Sequence, residues 1–155
     1  MIEAELIALG AHNPARARHD LRTLAALLPS VLDDPFEQLE TLGDRVGAAF
    51  TTPDVGDDPE DPVLFNAGAA LIDRHGDQLL VALIVAAVGQ SVGWDVAVVT
   101  SPLRALVAHR VCGPPLALAI ADQGRVIDAT DIAHEGELRW CCPHEVARQI
   151  RARIA

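Results

Sequence analysis

GDQLLVALIVAAVGQSVGWDVAVV, residues 76–99, decides the fold. From Asp77 to Gly93 it has the length of a helix and almost no polar face. A helix that is apolar all round must be enclosed by other elements, so it belongs at the centre of the protein. Asp77 has the side chain and the place of an N-cap, and Gly76 and Gly93 are backbone necessities at the two helix ends. Beyond Gly93 the short valine-rich run Val96–Val99 reads as a buried strand. The segment therefore predicts a central helix that turns directly into a sheet.

Downstream, three more strands are expected, at Ala105–Val111, Leu116–Ala121 and Arg125–Ala129. Asp122-Gln123-Gly124 joins the last two as a hairpin turn. Pro143 then opens a C-terminal helix, Glu145 to Ile154, with arginines toward its negative end, as the helix dipole favours. Upstream, residues 63–75 suit another helix. Residues 51–62, TTPDVGDDPEDP, hold three prolines, one glycine and five acids, and read as an exposed loop. The loop lacks the alternating oxygen ligands and the glycine of a calcium-binding EF-hand, so no metal is expected there.

Residues 1–50 read as helical. Ile2, Leu6, Ile7 and Leu9 suit a short helix ended by Gly10, and Asn13-Pro14 caps and starts a second. Leu21, Leu24, Ala25 and Leu28 follow at helical spacing. A third helix starts near Asp34-Pro35, with Phe36, Leu39, Leu42, Val46 and Ala49 on one face. The expected class is α+β in one domain, 1–155. A helical part (1–50) and the acidic loop (51–62) precede a core (63–155), where an antiparallel sheet packs on the central helix.

Composition narrows the partners. A chain of 155 residues that is 50% hydrophobic is long and apolar enough to build a core, which excludes general disorder. Aromatics are only 3% with no tyrosine, so Ala, Val, Leu and Ile must fill that core. All 12 basic residues are arginine against 22 acids, a net charge of -10 and a bias typical of a high-GC bacterial genome. That deficit repels phosphates and argues against nucleic acid. The longest apolar run, Leu79 to Val88, has ten residues. A bilayer span needs roughly 18 to 20, so no membrane insertion is expected. The acids in MIEAELIALG do not suit a secretory signal. The three cysteines then read as reduced thiols, and the protein as cytoplasmic.

Gly76, position 78, Gly93 and Val96–Val99 together resemble the core of the transglutaminase-like superfamily. In that family a glycine, one residue and then the nucleophilic cysteine open a buried helix, which ends at a glycine before a strand. The stretch DPVLFNAGAALIDRHG, through Asn66, Leu71, Arg74 and Gly76, is similar to the bacterial SirB-type subfamily, as is the helical N-terminal half. The resemblance covers about residues 36–130 through short motifs and spacing. It implies a papain-like core with a histidine from the next strand and an aspartate from the one after, the places of His109 and Asp128. A thiolate at a helix N-terminus is favoured by the dipole and a neighbouring imidazole, and the carboxylate fixes the imidazole tautomer. Val107, His109 and Val111 share one strand face, which turns His109 inward.

Position 78, however, is Gln78, which is no nucleophile, and SirB-type members also tend to lack the cysteine. Cysteine-dependent acyl transfer through this position is therefore excluded, although Gln78 remains able to line a pocket or bond His109. Each residue also has a plain structural reading. His109 can be a satisfied core histidine, and Asp128 a strand-end carboxylate, with Asp131 as a competing partner for the imidazole. Cys112, Cys141, Cys142, His144 and His134 lack the C-x-x-C spacing of structural zinc, and HEVAR (144–148) lacks the second histidine of a zincin helix. No metal or cofactor is expected. The thiols read as small apolar groups near Trp140, Cys112 as a poor substitute nucleophile, and His12, His19 and His75 as exposed.

Two functions follow. One is a non-catalytic transglutaminase-like domain that binds a protein or small molecule or serves regulation. The other is a hydrolase or acyltransferase acting on an amide or ester, with His109 and Asp128 as an acid–base pair. A pocket with apolar walls on which His109 and Asp128 converge favours the enzyme. An apolar-filled site with His109 bonded to backbone favours the module.

Overall fold

In a computed structural model of the chain, the structure describes residues 2–10, 13–29, 31–53, 61–130 and 136–154. Among the described residues, six α-helices and five strands follow in the order α1 (Ile2–Ala8), α2 (Pro14–Ala25), α3 (Pro35–Arg45), α4 (Ala67–Asp73), α5 (Gln78–Ser91), β1 (Val96–Thr100), β2 (Ala105–His109), β3 (Leu116–Ala119), β4 (Arg125–Asp128), β5 (Arg139–Cys141) and α6 (Pro143–Ile154). The sheet is antiparallel throughout, in the order β4-β3-β2-β1-β5. The protein is α+β, and no described helix is long and apolar enough to cross a membrane. Most of residues 51–62 lies outside the described residues.

The central helix behaves as its composition requires. Every residue of α5 from Leu79 to Gly89 is buried. One sheet face supplies Val96, Val98, Ala105, Val107 and Leu118 to the core around α5, and Leu6, Leu24 and Leu39 of α1, α2 and α3 join the same cluster. Asp77 caps the helix by accepting from the Leu79 N–H at 2.9 Å. At the other end Gly93 takes φ +87°, a left-handed value that suits glycine.

The second face of the sheet is apolar as well. Val99, Leu106, Ala108, Ala117 and Ala119 pack there with Ala129 just after β4, Leu138 just before β5 and Trp140 of β5. Strands buried on both faces read as nearly continuous apolar runs, which is the pattern of VAVV, ALVA and LALA.

Several boundaries differ from expectation. Residues 63–75 do not form one helix. A 3-10 turn, Pro62–Phe65, ends at Asn66, which is extended (φ −96°, ψ 115°) and caps α4 instead. The Asn66 side chain accepts from the Ala69 N–H at 2.9 Å, so a competing side-chain acceptor restarts the helix. The third strand stops at Ala119 and passes through a 3-10 turn, Ile120–Asp122, before Gln123 and Gly124 reverse the chain at positive φ. The second strand stops at His109, where the Gly113 N–H closes a turn onto the His109 carbonyl at 2.9 Å. Val111 is thus past the strand end and 72% exposed, not on the inward face. β5 was not expected, because three residues carry no readable period.

Close approach fixes how α3 lies on the β3–β4 hairpin. A Cβ on Gly43 would run into the Gly124 carbonyl oxygen and the Leu118 side chain. One on Gly47, in the turn after α3, would sit 2.9 Å from the Gly124 Cα. Gly43→Ala gains helix propensity of about 1 kcal/mol. The collision is with backbone and should outweigh it, for a net loss of about 1–3 kcal/mol by urea unfolding. A Gly43→Ala protein as stable as the wild type would show that α3 does not dock on the hairpin tip.

Candidate functional site

Gln78, His109 and Asp128 each have a definite environment, and the three environments are separate. Gln78 opens α5 and spends its amide on main chain. Its Oε1 accepts from the Ala105 N–H at 3.0 Å, and its Nε2 donates to the Leu103 carbonyl at 3.3 Å. The side chain thereby staples the start of the central helix to the start of β2.

His109 stands at the opposite end of β2, four residues from Ala105. At about 3.4 Å per residue the two ends are some 13 Å apart. Among the described residues, His109 is the polar side chain buried in the core, 3% exposed. The Val111 N–H donates to Nδ1 at 3.1 Å, so Nδ1 carries no proton. Nε2 then bears the hydrogen and donates it to Oε1 of Gln38 at 2.9 Å. Gln38, on the first turn of α3, passes its own amide hydrogen to the Leu32 carbonyl.

Asp128 is on the outer strand β4, paired with Leu116 of β3. Continuing the β2–β3 register by one residue sets Leu116 opposite His109 as well. The histidine and the aspartate therefore share a row with a leucine between them, at two strand spacings or about 10 Å. The expected contact between them is absent. The carboxylate is fully exposed, and its Oδ1 accepts from the Thr130 hydroxyl at 2.7 Å and the Thr130 N–H at 2.9 Å. Those bonds, the hydroxyl first, hold its pKa below the usual carboxylate value. Asp131, the competing partner, lies outside the described residues, as do His12 and His134.

The remaining candidates settle into structural places. Cys141 is buried with its Sγ 3.3 Å from the Thr100 hydroxyl, Cys142 is exposed and Cys112 is half-buried. Burial, and then the charge of Asp34, push the Cys112 thiol up, against its use as a nucleophile. No group of three His, Cys, Asp or Glu side chains able to hold a metal ion occurs among the described residues. His144 bonds Glu5 of α1 at 3.1 Å. His75 is half-buried rather than exposed, with Nδ1 2.7 Å from the Thr51 hydroxyl.

What surrounds Gln78 is a cleft. A cavity of about 400 Å³ on one side includes Leu64, Phe65 and Asp77 in its wall. A second, of about 240 Å³, lies between Gln78, the Thr100–Ala105 corner and Gln149. Arg153 of α6 borders both, and its Nη1 is 3.3 Å from Asp77. The residue of β2 that Gln78 reaches is Ala105, which has no acid–base chemistry. Arg104, Arg153 and Gln38 gave no sequence signal as site residues, because only the tertiary fold brings them to Gln78 or His109.

Burial lowers the His109 pKa from 6.5, opposed by the nearby Asp95 carboxylate. A depressed folded value means that the unfolded chain takes up the proton first. The stabilising effect of a neutral His109 is complete above 6.5 and is lost as pH falls through the folded value. Urea midpoints should therefore drop between pH 7.5 and pH 5 in the wild type and drop less in His109→Phe. Equal pH slopes in the two proteins would count against the locked neutral tautomer. Asp128→Ala should leave the His109 ring titration unchanged by NMR. Gln78→Ala, which orphans the Ala105 N–H, should cost about 1–3 kcal/mol of stability.

No protein-family model, curated protein or solved structure matches this chain.

Proposed function

We propose that the chain is a non-catalytic transglutaminase-like domain of SirB type, a cytoplasmic binding or regulatory module without a nucleic-acid partner. One observation carries the reading: at the head of the central helix, where such a fold keeps its nucleophile, a glutamine spends its amide on Leu103 and Ala105. The neighbouring strand position is alanine, and the imidazole is at the far end of the strand on Gln38. The nucleophile and the base are thus both missing from the place where they would act together. The helix-to-strand order around Gly93 and the antiparallel sheet support the family likeness.

The alternative, an acid–base enzyme using His109 and Asp128, finds no support in the geometry. Proton transfer needs the partners at about 2.6–3.2 Å or bridged by one water. Here Leu116 stands between their backbones and each side chain is engaged elsewhere.

Gln78→Cys tests the proposal. Without a nearby imidazole the new thiol should react with iodoacetamide no faster than exposed Cys142, and p-nitrophenyl acetate should give no acyl-enzyme burst. A burst, or wild-type ester hydrolysis abolished by His109→Gln with the fold intact, would return the protein to the enzymes.

A further inference from the structure

We propose that the open edge of β4, beside the acidic flank of α3, takes up an extended segment of a partner protein in which basic and β-branched residues alternate. The inference rests on the binding-module reading, names the chemistry of the partner and uses a surface that does not include Gln78.

The first observation is an unfilled ladder. β4 ends the sheet on one side, and among the described strands it pairs with β3 alone. The Ala129 N–H bonds the Pro115 carbonyl, so those two residues form a hydrogen-bonded pair. Alternation along an antiparallel ladder then turns the main-chain groups of Ile127 toward β3 and those of Val126 and Asp128 outward. These two residues are about 7 Å apart along the strand. Another extended backbone matches that repeat of donors and acceptors, and a small cation does not.

The second observation is the charge beside that edge. A groove of about 450 Å³ between α3 and the β3–β4 hairpin has Glu40, Asp44, Ala48, Asp122, Arg125 and Val126 in its wall. Among the described residues its cation is Arg125, and that guanidinium is ion-paired with Asp122. Glu40 and Asp44 stand one turn apart on the exposed side of α3, without an ion-pair partner among the described residues. All 12 basic residues of the chain are arginines within the described residues, so the others add no guanidinium or ammonium side chain. Asp128 exposes its carboxylate on the same sheet face as Val126. A segment laid along β4 therefore gains from basic side chains on the side toward α3. On the other face Ile127 packs with the second apolar cluster, which favours β-branched residues in between. A second copy of the chain would set the same acids against these, and a nucleic acid would meet the same repulsion.

The experiment titrates the ¹⁵N-labelled full chain with the end-capped hexapeptide Arg-Val-Arg-Val-Arg-Val. Two controls are the peptide with glutamine in place of arginine and the arginine peptide N-methylated at every residue. The arginine peptide should give saturable shifts at Glu40, Asp44 and Val126, and slow hydrogen exchange of the Val126 and Asp128 amides by about tenfold or more. Ile127 and Ala129, already bonded to β3, should change little. The glutamine peptide should bind about tenfold more weakly, the sum of several exposed ion pairs. The N-methylated peptide keeps the charges, has no amide donor and should bind more weakly still. Glu40→Gln combined with Asp44→Asn, both at exposed positions, should weaken the arginine peptide by about the same factor and leave the glutamine peptide unaffected. Equal binding of the arginine and glutamine peptides overturns the charge complementarity, and equal binding of the N-methylated peptide overturns strand addition. Shifts confined to other surfaces, no shifts at all, or indifference to the double variant overturn the site. Val126 and Asp128 amides already protected in the free chain, with dimers in sedimentation, overturn the partner in favour of a second copy. None of these readouts involves Gln78 or a catalysed step, so the non-catalytic reading stands or falls separately on Gln78→Cys and ester hydrolysis.

Discussion

The constraint on which everything else depends is the enclosure of α5. Eleven consecutive buried residues, Leu79 to Gly89, leave the helix no side that can face water. Each leucine or valine hidden there contributes about 1.5–3 kcal/mol, so the surrounding elements exist to cover it. α1, α2 and α3 cover part of it and the sheet another part, and α6 closes the remainder with Val146, Ala147 and Ile150. A helix so deeply set can reach solvent only at its ends. Its first residue, Gln78, is half-buried and borders a cleft, whereas its middle offers no access to a ligand.

The same enclosure explains what was legible in the sequence and what was not. LLVALIVAAV and the glycine after it announced a central helix, and Asn13, Asp34 and Asp77 announced helix starts by their capping side chains, each of which accepts a backbone hydrogen. These signals are local and survive without tertiary information. Asn66 is a cap of the same kind, yet the reading ran one helix across it, because the apolar residues on either side kept a helical rhythm. The strand ends at Ala119 and His109 were overrun for a related reason: both sheet faces are buried, so composition does not change where the ladder stops.

The site was the least legible part. His109, Asp128 and Gln78 were singled out by their order along the chain and a family resemblance, and sequence spacing was the only ruler. Strand alternation turned His109 inward and the resemblance placed Asp128 on a later strand, but neither fixed the position along β2 that meets the helix head. That position is Ala105, four residues earlier, and the acceptor awaiting His109 is a glutamine 71 residues before it in the chain. Nothing around Gln38 distinguishes it from any other glutamine on the first turn of a helix.

A sheet that is apolar on both faces has a physical problem, and these polar residues answer it. Register is normally enforced because a one-residue slip turns apolar side chains into water. In β2 a slip would exchange Leu106 and Ala108 for Ala105 and Val107, all of them buried, so hydrophobicity discriminates weakly. The two ends of the strand discriminate strongly. Gln78 grips Leu103 and Ala105 from the helix head, and His109 reaches Gln38 from the other end. A slip of one residue would orphan the Ala105 N–H partner and leave an imidazole unpaired in the core, each at a cost of about 1–3 kcal/mol. On this argument the glutamine and the histidine pin β2 at its two ends, so they are held by the architecture even where no catalysis depends on them. The cleft beside Gln78 then owes its shape to a register pin, because the amide that borders both cavities is fixed at each end by main chain.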